Sequence, residues 1–137
     1  MIKEVRIRSR KDMLNESYRL DEDCIIISIY DIDKEPSIFA VNHSIRDVLY
    51  CCFEDDDREV PESIDDTQAK QIAAFVKKYM AKETSYICYV NCEAGISRSA
   101  GTAAAIARFL FKDDAWIFKT KIPNMRCYKK VLEALMC

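Results

Sequence analysis

Glycine is nearly absent from this chain. Its 137 residues include two, Gly95 and Gly101, where an average usage of about 7% would supply several more. Both fall between residues 92 and 101, so backbone geometry is most demanding in that window. Histidine occurs once, at His43, and no Cys-x-x-Cys pair exists; a zinc site has no ligand set to draw on. No apolar run approaches the roughly 20 residues that a bilayer span needs, which excludes a membrane helix. Neither sign of charge dominates: 21 basic residues stand against 23 acidic, for a net charge of -2. No cationic field exists to attract nucleic acid or anionic lipid, so any anionic substrate must be bound locally.

The seven cysteines are an odd number without framework spacing, and the opening Met-Ile-Lys-Glu-Val-Arg has no signal-peptide apolar stretch. A cytoplasmic location, with its reducing thiol chemistry, is the expectation. The length suits one domain, residues 1 to 137, and a monomer.

Val5 and Ile7 alternate with charges, and Cys24-Ile-Ile-Ile-Ser-Ile29 is a β-branched apolar run; both predict strands, the second buried. Ile45 to Phe53 predicts a third. Ser63 or Asp65 can cap a helix in which Ile72, Phe75, Val76 and Tyr79 recur at helical spacing, through about Lys82. Tyr86 to Asn91 is nearly continuous apolar sequence, the pattern of a central strand covered on both faces. From about Arg98 to Phe111 helix formers and small residues predominate. Asp113 to about Thr120 and Asn124 to Met136 predict two more helices. Strands alternating with helices give an α/β fold, with a central, mostly parallel sheet of four to five strands flanked by helices.

The segment Cys92-Glu93-Ala94-Gly95-Ile96-Ser97-Arg98-Ser99 therefore lies between a central strand and a helix N-terminus, where α/β folds bind anions. Backbone N–H groups of Glu93 to Ser97 can converge on a tetrahedral oxyanion, with Gly95 permitting the tight path. The same field, the helix dipole and Arg98 favour the thiolate of Cys92. Arg98 can hold two phosphate oxygens at once, and Ser99 can donate its hydroxyl to the sulfur.

Asn91 to Ser99 resembles the His-Cys-x-x-Gly-x-x-Arg-Ser signature of the cysteine-dependent tyrosine and dual-specificity phosphatases, fully from Cys92 to Ser99. Pro123-Asn124 followed by Tyr128 and Leu132 looks like the opening of the final helix in the small atypical dual-specificity branch. The likeness runs from about residue 45 to the C-terminus; before that only the order of elements agrees. Asn91 departs from the signature histidine. The resemblance implies a general acid on a loop after an upstream strand. Phe53-Glu54-Asp55 looks like its Phe-(Asp/Glu)-Asp, which makes Asp55 the first choice, with Asp56 and Asp57 as alternatives. The spacing to Cys92 exceeds the family's usual gap, so an insertion around Pro61 is expected.

The resemblance implies a phosphatase that works without metal or organic cofactor. Cys92 would be the nucleophile, forming a phosphocysteine, and Asp55 (alternate acid Asp57) the proton donor. Arg98 with residues 93 to 97 would bind the phosphoryl group, and Ser99 would stabilise the departing thiolate. A phosphorylated protein, on tyrosine or on serine and threonine, is the expected substrate. A catalytically weak phosphate-binding module, and a phosphatase of a phosphoinositide or an RNA 5′ end, are the alternatives. Elsewhere, Cys24, Cys51, Cys52, Cys88 and Cys127 are expected as small core residues, Cys88 as a strand cysteine rather than a disulfide partner of Cys92. Tyr86, Tyr89, Phe109, Phe111, Trp116 and Phe118 are expected to pack in the interior, and His43 at the surface.

Overall fold

The computed structural model describes residues 1–137. Four strands form its sheet: β1 (Ile2–Ser9), β2 (Cys24–Tyr30), β3 (Ile45–Cys52) and β4 (Tyr86–Cys92). They are all parallel, in the order β1-β4-β2-β3. The most apolar strand, β4, is buried at every position because it has neighbours on both sides and helices on both faces. A sheet of four strands, not five, closes the count.

Strand periodicity sorts the core into two layers. Ile25, Ile27 and Ile29 of β2 and Cys88, Val90 and Cys92 of β4 face the larger core. Its other side comes from α2 (Asp66–Met80), α3 (Arg98–Phe111) and α5 (Met125–Met136). The intervening Cys24, Ile26, Ile87 and Tyr89 face a small cluster closed by Met13 of α1 (Arg10–Glu16). Asp65, rather than Ser63, caps α2: its carboxylate accepts from Gln68 N while Gln68 Oε1 accepts from Asp65 N, a reciprocal capping box. Ile72, Phe75, Val76 and Tyr79 are its buried stripe.

The short α4 (Ala115–Thr120) corrects an expectation. Phe111, Trp116 and Phe118 are 43%, 44% and 40% exposed and do not pack in the interior, whereas Tyr86 and Tyr89 do. Five cysteines, at 24, 51, 88, 92 and 127, are buried, while Cys52 is only half-buried. All seven are free thiols, Cys88 included. His43 is exposed. No helix is long and apolar enough to cross a membrane.

Candidate active site

In an all-parallel sheet every strand ends at the same edge, which is where α/β folds place ligands. Here that edge collects Ser9 and Arg10 after β1, Asp31 after β2, Phe53 to Asp57 after β3, and the Cys92 loop after β4.

The loop is held from outside by its carbonyls. Arg10 N–H donates to Glu93 O (3.2 Å), Ile122 N–H to Ile96 O (3.2 Å), and Asn124 N–H and Gly101 N–H to Ser97 O (2.9 and 2.8 Å). A trans peptide unit points its C=O and the next N–H in opposite directions. Fixing those three oxygens outward therefore turns the N–H groups of Ala94, Ser97 and Arg98 inward. Gly95 N–H points to the Cys92 sulfur at 3.3 Å. Gly95 has φ +70°, and a Cβ there would lie 2.6 Å from Ser9 N, so the position excludes side chains on two counts.

Cys92 is 2% exposed. Its Sγ lies 3.0 Å from Ser99 Oγ, so a hydroxyl and a backbone amide both address the sulfur. Arg98, 5% exposed, lies at the start of α3. Its Nη1 donates to Phe53 O (2.8 Å) and pairs with Asp31 Oδ1 (2.6 Å). Its buried Nε has no partner. A buried guanidinium N–H is costly to leave unbonded, and this one belongs to the residue that closes an amide-lined loop.

Asp55 joins the loop from across the sheet. Its Oδ1 accepts from Ser97 Oγ (2.7 Å) and from Asn124 Nδ2 (3.0 Å), and its Oδ2 makes no hydrogen bond within the chain. Asp56 is bound differently. Arg58 grips both its oxygens (Nε 3.0 Å, Nη2 2.7 Å) and adds a backbone N–H at 2.9 Å. The Arg58 hydrogen bonds hold this carboxyl down to about 2, and both its oxygens are taken up by that one partner rather than by the loop. Asp57 lines the same 390 Å³ cleft as Asp55, Ser97, Ile122 and Asn124 without bonding to the loop.

Three positions escaped the sequence reading. Asp31 anchors Arg98; its only mark is that it follows a buried strand, and only the strand order shows that β2 ends beside the loop. Asn124 was legible as a helix opening, and its Oδ1 does cap α5 by accepting from Cys127 N (3.0 Å). The same side chain also holds Asp55. Ser97 entered the sequence reading only through its backbone N–H, and its hydroxyl also donates to Asp55 (2.7 Å). Asn91, where the signature has histidine, is 1% exposed with its Oδ1 unpartnered.

Solved structures share this architecture. Human DUSP28 superposes with a TM-score of 0.55 at 12% identity, over 96% of this chain and 91% of that one. The human tyrosine phosphatase-like serine/threonine/tyrosine-interacting protein does so with a TM-score of 0.53 at 18% identity, over 90% of this chain and 80% of that one. The fold is that of the dual-specificity phosphatases. This likeness takes in the first forty residues, where sequence agreed only in the order of elements. No protein-family model matches the chain, and no curated protein sequence does either.

Proposed function

We propose that this chain is a cysteine-dependent protein phosphatase with Cys92 as nucleophile and Asp55 as general acid. One observation carries the proposal: a buried sulfur addressed by an amide and a hydroxyl sits in a loop closed by a buried arginine whose Nε is unpartnered. Inward amides, Arg98 Nε and Arg98 Nη2 suit the three equatorial oxygens of a phosphoryl group, whose charge they would stabilise throughout the reaction.

In the first step the Cys92 thiolate attacks phosphorus in line. The S–P bond forms, the P–O bond to the leaving group breaks, and Asp55 Oδ2 gives its proton to the departing oxygen. In the second step the Asp55 carboxylate takes a proton from water as the water oxygen attacks phosphorus. The S–P bond breaks, inorganic phosphate leaves, and the Ser99 hydroxyl hydrogen-bonds the released thiolate. Asp55 ends protonated, ready for the next turnover. No step calls for a metal or an organic cofactor.

Phosphorylated proteins suit the rim better than polyanionic lipids or RNA ends. The loop residues Glu93, Ala94 and Ile96 supply no cation, and the nearest ones are taken up by carboxylates, Lys34 by Asp31 and Glu93 and Arg58 by Asp56, so a second phosphate finds no free cation within the loop. The free thiols fit a reducing, cytoplasmic setting. A second reading, a phosphate-binding module without turnover, is favoured by Asn91, which cannot carry the positive charge that a histidine can. Rates on phosphotyrosine and phosphothreonine peptides, a phosphoinositide and an RNA 5′-phosphate test both. The peptides are expected to turn over fastest; a faster phosphoinositide or RNA substrate overturns the protein assignment, and binding without hydrolysis of any of them establishes the module.

A further inference from the structure

An open groove of 620 Å³ lies away from the Cys92 loop, along the outer flank of β1. Since β1 is the terminal strand and pairs only with β4, one side of its backbone has no strand partner, a ready template for another extended chain. Beside that edge, α3 and α4 contribute Ala107, Phe111 and Trp116. The two aromatics are 43% and 44% exposed. An unpaired strand edge next to partly bare aromatic surface is the arrangement used for strand addition, in which main-chain bonds give affinity and alternate side chains enter an apolar groove.

Charge selects the occupant. Four cations, Lys3, Arg6, Arg8 and Lys121, line the groove against two carboxylates, Glu4 and Asp113, although the chain as a whole is acidic. Three of the four are already paired, Lys3 with Glu22 (3.2 Å), Arg6 with Glu4 through its Nε, and Arg8 Nε with Glu16 (2.7 Å). Asp113 Oδ1 is occupied in accepting Ala115 N (3.1 Å). Lys121 has no carboxylate within ion-pair distance and is the freest cation of the set.

We propose that the β1 groove binds an extended, acidic segment of a partner protein as a fifth strand, with its apolar side chains against Phe111 and Trp116. The groove meets the catalytic loop at one end. The backbone of Arg8 packs against Gly95, and Lys121 precedes Ile122, whose N–H fixes Ile96 O. A docked segment therefore touches both supports of that loop, which suits tethering of a protein substrate.

Trp116 is the only tryptophan, so its fluorescence reports occupancy directly and without turnover, independently of the phosphatase proposal. The probes are an acetylated hexapeptide alternating glutamate with leucine and its lysine-leucine counterpart. The glutamate peptide is expected to change Trp116 emission saturably at 1:1 stoichiometry and to slow amide exchange along β1. The lysine peptide should bind at least tenfold more weakly, and Lys121→Glu and, separately, Phe111→Ala should each weaken the glutamate peptide by tenfold or more. Equal binding of the two peptides, no binding, or emission that changes with protein concentration alongside a dimer in sedimentation would each overturn the proposal, the last in favour of self-association.

Discussion

Replacing Gly101 with alanine sets two opposed effects against each other, and the structure decides between them. Gly101 lies inside α3, where alanine ordinarily gains about 1 kcal/mol over glycine. Here a Cβ would stand 2.3 Å from Asn124 O and 3.0 Å from the Cβ of Cys127. Carbon contacts are comfortable at about 3.5–4.0 Å, so the start of α5 must retreat by about 1 Å. Overpacking of this kind costs about 1–3 kcal/mol, which cancels or exceeds the helix gain. The larger effect is kinetic, because Asn124 links two parts of the site. Its Nδ2 holds Asp55 at 3.0 Å and its N–H holds Ser97 O at 2.9 Å, and a 1 Å retreat takes both past hydrogen-bond range. Misplacement on that scale can lower kcat by about 100-fold. The assay is kcat for aryl phosphates of graded leaving-group pKa, beside the melting temperature. Gly101→Ala should melt no higher than wild type and lose most rate on the poorest leaving groups, since the acid is what has moved. A variant with a higher melting temperature and unchanged kcat would refute the coupling of α3, Asn124 and Asp55.

Arg98→Lys keeps the charge but loses the planar fork that both anchors on Asp31 and Phe53 O and presents Nε; kcat should fall by orders of magnitude, and near wild-type rates would remove Arg98 as the oxyanion clamp. Asp55→Asn should make kcat strongly dependent on leaving-group pKa and flatten the basic limb of the pH profile, whereas that pattern in Asp57→Asn alone would move the acid two residues on. Alkaline stability tests the thiol core. Burial pushes Cys51 and Cys88 up to about 12, from 9.0. Their folded pKa values lie above the unfolded ones, so the stabilisation is complete below pH 9 and is lost as pH rises from 9 towards 12. Each contributes about 1.4 kcal/mol per pH unit over that window. The urea midpoint should therefore drop steeply between pH 9 and 10.5, and less steeply in Cys88→Ala; a flat profile would contradict the burial.

Sequence disclosed what is contiguous and missed what the sheet assembles. The apolar run of β4 announced a central strand because both its faces are covered, and all seven of its residues are buried. Cys92, Gly95 and Arg98 lie within one loop of chain, so their grouping could be read from spacing. By contrast α1 left no periodic signal: its seven residues bury only Met13, and its start is set by Ser9 Oγ accepting from Asp12 N–H. Asp31 and Asn124 acquire their roles only when parallel strands bring β2, β3 and the α4–α5 connection to one edge. Phe111 and Trp116 read as interior aromatics by composition, but α4 is one short helix burying only Ile117, too little to cover them.

The most direct test of the account compares wild type with Cys92→Ser in hydrolysis of an aryl phosphate, with phosphate-ester binding measured in parallel. The sulfur is the one atom both proposed steps pass through, while the loop amides and Arg98 remain in the variant. Wild type should turn over, with a phosphocysteine at residue 92 trapped by rapid quenching, and Cys92→Ser should bind the ester with little loss and hydrolyse none of it. Comparable hydrolysis by Cys92→Ser, or phosphate trapped on any other residue, would contradict the cysteine mechanism.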